Sequence, residues 1–354
     1  VGLFVKPHLV DFEERFIIDG QPVEAGDWIE IYTEHRKTID ALGLTFFEIC
    51  VLLAFELFRR KQVDWAVFET GLGGRLDATN VLMPRVCAIT SLAIDHTAYL
   101  GDSLYQIAQE KLGIVKRGAP CVMVEPSSEA IRNRARQLCR DRNSPLHFVR
   151  QEDVDTDISR PDAVSFRFEG KRYSLSAGGL FQPLNAAVAI KTVEQVVSAP
   201  YAPVRDACAR TQFPGRFQCC MIGGKHVVFD VAHNPSAIHA LLHSLTHCYP
   251  ERSVCFVCGF MADKEYPAML NALAGVAAEI ILCRPDTIRA ALPSQLSEAV
   301  SPPEECIVTA FESVDAAVAA ALRSSPDILC VTGSFYTVGE AMSALGVSPV
   351  TSLT

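Results

Sequence analysis

The sequence predicts an α/β protein of two domains, each built on parallel strands. Three observations lead there. Apolar runs of strand length alternate with segments of helical period along nearly the whole chain, the pattern left by strand–helix crossover units. The 354 residues exceed what one hydrophobic core usually serves. With 49% hydrophobic and 21% charged residues, the composition is globular and excludes disorder or collagen-like repetition.

In the first half, buried strands are expected at Leu3–Val5, Trp65–Phe68, Val86–Thr90, Cys121–Val124 and Leu146–Val149. Amphipathic helices are expected between them at Ala25–Leu42, Phe46–Arg59, Ser103–Val115 and Ser127–Cys139. Ala163–Phe168 and Arg172–Ser176 alternate about Glu169-Gly170-Lys171 and read as a hairpin. Two helical stretches follow, Leu184–Val197 and Ala202–Arg210. Phe213-Pro-Gly-Arg216 then punctuates the chain, and a fresh series begins. It has strands at His226–Asp230, Val254–Cys258, Glu279–Cys283 and Ile328–Val331, with helices at Ser236–Cys248, Lys264–Ala274 and Val314–Arg323. The boundary is therefore placed near Gln212, giving domains 1–211 and 212–354.

Lys plus Arg number 32 against 41 Asp plus Glu, a formal charge of −9 with no basic stripe, which argues against a nucleic-acid partner. No apolar run approaches the ~18 to 20 residues of a membrane span, and no cleavable leader is visible. A soluble, cytoplasmic protein without a membrane partner is expected. The 13 cysteines follow no framework spacing and sit mostly in apolar runs, as reduced, packed thiols do. Cys255 and Cys258 form one Cys-x-x-Cys inside a strand, with no second pair to complete a zinc site.

Ligand clefts in open α/β sheets lie beyond the carboxyl ends of the strands, so polar residues that follow apolar strands carry the chemistry. Glu69 leaves such a strand and is followed by Thr70-Gly-Leu-Gly-Gly74-Arg75-Leu76-Asp77. The glycines let the backbone turn and approach a ligand, although a plain tight turn explains them equally well, and Leu76 breaks the Rossmann spacing. Asp95-His96 follows another strand. His96 alone reads as a hydrogen-bonded loop residue. Together with Glu69, from a neighbouring strand end, it suits a divalent ion of the magnesium or manganese type.

In the second half, Arg216 follows a rigid turn and is placed to neutralise phosphate. In Asp230-Val-Ala-His233-Asn234-Pro235, Asn234 is the expected helix cap and Pro235 the first helical residue, which leaves Asp230 and His233 unexplained by capping. Ser334 opens a helix after the last strand, where free amides hold anions. His239, His243 and His247 read as a solvated helical stripe. No nucleophile elbow and no phosphate loop is present in the sequence.

Eight motifs in order resemble the bifunctional dihydrofolate synthase/folylpolyglutamate synthase family, relatives of the Mur ligases. They are Gly2–Leu9, Leu44–Glu48, Glu69–Asn80, Thr90–His96, Glu110–Ile114, Gln182–Ala186, Pro214–Arg216 with Asp230–Pro235, and Gly333–Phe335. The resemblance implies a Mur-ligase-like fold: a P-loop-type ATPase domain followed by a smaller Rossmann-like α/β domain. It implies ATP-dependent addition of L-glutamate to dihydropteroate and to tetrahydrofolate through an acyl phosphate, by a monomer. Glu69 and His96 match magnesium ligands, for one ion or two, and Lys111 matches a carbamylated lysine that adds a further oxygen ligand. Thr45, Phe46, Phe47 and Glu48, with Leu76, Asp77 and Ala78, match pterin-binding segments. Asn185, Arg216 and Asp230 match ATP contacts, while His233 and Ser334 match positions for the incoming glutamate.

The sequence departs from the family twice. Its phosphate loop lies upstream of the segment that corresponds to Val1, so a strand–loop–helix unit of on the order of 30 residues is expected to be missing, and with it activity of the chain alone. Lys6 stands where the family usually has a Ser that touches magnesium, and an ammonium cannot ligate a cation. Two other readings remain: a Mur-type ligase acting on another acid, and a non-catalytic folate-binding fragment.

Overall fold

The computed structural model describes residues 1–348. They form two compact units, the first comprising Val1–Gln151 and Val188–Ala199, the second Glu152–Ala187 and the chain from Pro200 onward.

The first unit opens with β1 (Gly2–Phe4), β2 (Phe16–Ile18) and β3 (Gln21–Pro22), then α1 (Ala25–Leu42) and α2 (Phe46–Arg60), and β4 (Ala66–Phe68). It continues with β5 (Cys87–Ile89), α3 (Thr97–Leu100), α4 (Leu104–Leu112), β6 (Cys121–Val124), α5 (Glu129–Asp141) and β7 (Leu146–Val149). Two sheets result, ordered β3-β2-β1-β4 and β5-β6-β7. α2 starts where Thr45 and Glu48 form a reciprocal capping box. Its buried stripe, Cys50, Val51, Leu53, Ala54, Leu57 and Phe58, packs with Phe4 and Phe16, whose rings stack 5.8 Å apart. Burying each such large side chain contributes about 1.5–3 kcal/mol. α4 begins on a second capping box, Ser103 with Gln106, which fixes the start of the helix that carries Lys111.

The second unit opens with three antiparallel strands, β8 (Val154–Arg160), β9 (Ala163–Phe168) and β10 (Lys171–Leu175), so the expected hairpin has one further strand. α6 (Gln182–Glu194) and α7 (Tyr201–Arg210) lead to β11 (Gln218–Ile222) and β12 (Lys225–Phe229). Then come α8 (Pro235–Cys248), β13 (Val254–Cys258), α9 (Tyr266–Ala274), β14 (Glu279–Cys283), α10 (Pro293–Ala299), β15 (Ile307–Phe311), α11 (Val314–Ala321), β16 (Ile328–Thr332) and α12 (Phe335–Ala344). The six-stranded sheet runs β11-β12-β16-β13-β14-β15, parallel except for β11. β13 and β16 are buried at every position, as strands covered by helices on both faces must be. Asn234 caps α8 by accepting the Ala237 N–H at 2.8 Å, with Pro235 in the first turn, as the sequence indicated. His239, His243 and His247 on that helix are exposed.

Candidate active site

In the first unit, β1 and β4 pair in parallel with Phe4 opposite Phe68, so the chain leaves both strands side by side at Lys6 and Glu69. The Glu69 N–H donates to the Phe4 carbonyl at 2.9 Å, and the Lys6 N–H donates to Glu69 Oε2 at 3.0 Å. Lys111, half-buried on α4, is held below the ordinary lysine range by burial and then by the charge of Lys6, with Asp95 opposing. Lys6, Glu69, Asp95 and Lys111 are thereby linked. His96 sits in the left-handed region at φ 53°, directly before α3. Its N–H donates to Asp95 Oδ1 at 2.7 Å, and its ring Nε2 lies 3.9 Å from Asp95 Oδ2.

One expectation is corrected here. Glu69 and His96 do not follow hydrogen-bonded neighbours: β4 pairs with β1, and β5 pairs with β6 in a separate sheet. Apolar patterning locates strands but does not order them, and the link from Lys111 runs through Lys6 and Asp95 instead.

The glycine turn after Glu69 brings together two segments about thirty residues apart in sequence. A Cβ on Gly71 would lie 2.4 Å from the Phe47 ring and 2.9 Å from Asp77 Oδ2, so glycine is what lets α2 approach this loop. Asp77 holds the loop from within, accepting the Leu72 N–H at 2.8 Å and the Thr79 N–H at 3.0 Å. Leu76 and Phe46 project outward, 79% and 59% exposed, while Thr45 and Glu48 are occupied with each other at the cap. Ala78 begins a 3-10 turn beneath them. Gly74, at φ +153°, has the Glu110 carbonyl 2.9 Å from where a Cβ would stand, so the turn lies directly on α4. Arg75 clasps the same helix through Glu110 at 3.0 Å. Sequence reading flagged Arg75 and Glu110 separately, and nothing in their spacing pairs them.

The second unit gathers the other expected residues. Asp230 is 4% exposed and accepts the Phe217 N–H at 2.8 Å and the Ala232 N–H at 2.9 Å. Burial pushes its carboxyl up to about 6, against the pull of Arg216 and of those two amides. Arg216 lies over the Phe335 ring, 5.0 Å from its centroid, and His233 faces the same ring at 5.6 Å. His233 Nδ1 is 2.8 Å from the Val231 carbonyl, which makes that nitrogen the protonated one. Ser334 is 3% exposed, and its hydroxyl accepts the Thr337 N–H at 3.1 Å as the cap of α12. Arg216, Asp230, His233 and Ser334 thus cluster at the ends of β12 and β16. Asn185 lies on α6, one turn after Gln182, which sequence reading did not single out. Gln182 is 2% exposed, and its Nε2 has no partner among the described residues, an arrangement that a ligand or water resolves.

One unit carries a mostly parallel α/β sheet whose strand ends gather Arg216, Asp230, His233 and Ser334, the other a glycine turn that lies on a lysine-bearing helix, and comparison with known proteins assigns this combination to the acid–amino-acid ligases. The glutamate ligase domain of Mur ligases matches residues 215–335. The folylpolyglutamate synthase of Lacticaseibacillus casei is 30% identical over 98% of this chain and 83% of its own length. The dihydrofolate synthase/folylpolyglutamate synthase of Escherichia coli K12 is 31% identical over 98% and 80%. Among solved structures, Mycobacterium tuberculosis folylpolyglutamate synthase complexed with ADP and AMPPCP superposes with a TM-score of 0.87 at 27% identity, over 98% of this chain and 85% of that one. The Yersinia pestis bifunctional enzyme with Mn, AMPPNP and L-glutamate bound gives 0.83 at 28%, over 98% and 82%. This chain belongs to the dihydrofolate synthase/folylpolyglutamate synthase family.

Proposed function

We propose that the protein is an ATP-dependent ligase that joins L-glutamate to dihydropteroate, and to tetrahydrofolate, by way of an acyl phosphate. The observation that carries the reading is the packing of Phe47 against Gly71 with Asp77 behind it: both pterin-type segments meet one turn away from Glu69. Exposed Phe46 and Leu76 offer apolar surface to a flat heterocycle at that place.

Glu69 and His96 are the metal-binding donors in this reading. Among the described residues no three His, Cys, Asp or Glu side chains group to enclose an ion. That donor set fits magnesium, which keeps water and substrate phosphate oxygens in most of its positions and needs few protein ligands. A bound magnesium neutralises charge on the transferring phosphoryl. Lys111 is the candidate for carbamylation, its half-buried amine facing Lys6 and Asp95. Arg216 and Asn185 contact the nucleotide, and Asp230 holds the turn that presents Arg216. His233 and the amides at the start of α12, with Ser334, receive the glutamate. In this reading the functional division falls near residue 212, whereas the compact units divide at Gln151 and Ala199. We read the protein as a cytoplasmic monomer acting on small molecules; among the described residues no helix is long and apolar enough to cross a membrane.

The test is phosphate release by the protein expressed from its complete reading frame. Release that requires both dihydropteroate and L-glutamate is expected. Release that responds instead to a muramyl acid with another amino acid identifies a different Mur-type ligase. Binding of dihydropteroate without any turnover identifies a non-catalytic folate-binding protein.

A further inference from the structure

The loop after β1 brings His8 against Arg15, and the reading above gives neither residue a task. Glu14 holds that loop: its carboxylate is 9% exposed and accepts the Leu9 N–H at 2.7 Å and the Val10 and Asp11 N–H groups at 2.8 Å. His8, next to this clamp, accepts a hydrogen bond at Nδ1 from Arg15 Nε at 2.9 Å. An accepting Nδ1 carries no proton, in keeping with burial and then the Arg15 charge holding His8 below the ordinary histidine range. Arg15 ends the 3-10 turn Phe12–Arg15 and is 6% exposed. Its guanidinium carbon stands 5.2 Å from the centroid of the Phe46 ring and 5.9 Å from that of Phe12. Phe12 also approaches Phe46 directly, with centroids 6.0 Å apart. Phe46 is nonetheless 59% exposed. The ring is thus supported from the protein side by a buried cation and a second ring, and open on the other.

We propose that His8 and Arg15 are positioning residues for folate recognition: together they hold the Phe46 ring in the orientation in which it stacks on the pterin. The proposal rests on the reading of Thr45–Glu48 as a pterin-binding segment. Neither residue touches the substrate. An exposed ring without support turns about its two side-chain torsions, and a ligand that stacks on it loses affinity to the ordering of that ring. Arg15 orders the ring beforehand through a cation–π contact, which is stronger here because the guanidinium is withdrawn from water. His8 fixes the rotation of the guanidinium through Nε, so that its plane stays under the ring, a role that needs the planar fork of arginine.

The experiment measures dihydropteroate and AMP-PNP affinity by calorimetry on the protein expressed from its complete reading frame, with thermal melting to establish that each variant is folded. Arg15→Met, which keeps a long stem without the cation, and His8→Leu are each expected to weaken dihydropteroate binding by about fivefold to tenfold and to leave AMP-PNP binding unchanged. His8→Asn, whose Oδ1 accepts where Nδ1 did, is expected to bind within about twofold of wild type. In a Phe46→Leu background there is no ring to orient, and either substitution is expected to cost less than about twofold further. Wild-type affinity in folded Arg15→Met or His8→Leu, an undiminished loss in the Phe46→Leu background, or a parallel loss of AMP-PNP binding overturns the proposal. If Arg15→Met does not fold, the His8 pair decides, and equal losses in His8→Leu and His8→Asn overturn it. Should the pterin reading itself be wrong, the outcome is different: wild type binds no dihydropteroate saturably.

Discussion

Arg75 holds Glu110 at two levels: its Nε and Nη2 lie 3.1 and 3.0 Å from Glu110 Oε1, and its backbone N–H donates to the Glu110 carbonyl at 2.8 Å. The glycine turn is thereby pinned to α4 one residue before Lys111. Arg75 is 55% exposed, so the side-chain pair itself contributes no more than about 1 kcal/mol to stability. Its effect on chemistry is expected to be far larger, because a displacement of about 1 Å at a reacting group costs on the order of 10²-fold in rate. Arg75→Ala should leave the melting temperature nearly unchanged and lower kcat strongly. Parallel melting and steady-state measurements check this, and a matched fall in both would assign Arg75 a purely structural role.

Gly71 tests the pterin side. Gly71→Ala drives a methyl into the Phe47 ring, so dihydropteroate affinity is expected to fall by about tenfold or more, roughly the 1.4 kcal/mol that tenfold represents. In a Phe47→Ala background the ring is gone, and adding Gly71→Ala should then cost much less. A double-mutant cycle on dihydropteroate affinity measures this coupling, and strictly additive losses would show that the two residues do not act through contact.

These two cases also show what the sequence could and could not convey. Cys121–Val124, Val254–Cys258 and Glu279–Cys283 were legible to the residue because buried parallel strands are unbroken apolar runs. β15 escaped because it is an edge strand, with Ile307 62% exposed and no clean alternation. α10 escaped because seven residues give too little period to read. β11 was missed although Gly223-Gly224, both at positive φ, joins it to β12 as a two-residue hairpin. In the site, the residues that touch the backbone turns were visible as motifs. Their pairings, Arg75 with Glu110 and Phe47 with Gly71, were not, because contacts between elements leave no spacing signal.

Cys139 offers a third check. It is one of 13 free cysteines, and nearly all of those with a shifted thiol are raised by burial. Cys139 alone is drawn below the usual thiol range, by a hydrogen bond from the Cys121 thiol and then by Ser144 and the charge of Arg142. It also lines an open pocket of about 230 Å³ with Arg136, Arg140, Ser144, Leu146 and Phe148. Cys139 is nevertheless only 2% exposed in the core of its unit, and access as well as thiolate character governs alkylation, so iodoacetamide at pH 7.5 should label the half-exposed Cys220 and Cys248 ahead of it, with Cys139 reacting only on opening of the core. Peptide mapping after brief labelling reads the order directly, and labelling of Cys139 first would contradict it.

Asp230 gives the pH prediction. Its carboxyl is raised from 3.8 to about 6 in the folded state, chiefly by burial. The folded protein therefore holds this proton where the unfolded chain has released it, and the slope of stability with pH is negative between about pH 4 and pH 6. The contribution is fully present below pH 4 and is lost as pH rises through 6, opposite to the behaviour of a salt-bridged carboxylate. A shift of about two units corresponds to roughly 3 kcal/mol. Asp230→Asn cannot titrate, so on acidification from pH 7 to pH 4 wild type should gain stability relative to the variant by up to that amount. Arg216→Ala removes the cation that opposes the shift and should carry the Asp230 midpoint higher still. Denaturant unfolding of the three proteins across this range, with the carboxyl followed by carbon-13 NMR, measures both effects. A wild-type stability difference from Asp230→Asn that stays flat with pH would mean that Asp230 remains ionised in its buried site, held by the Phe217 and Ala232 amides and by Arg216.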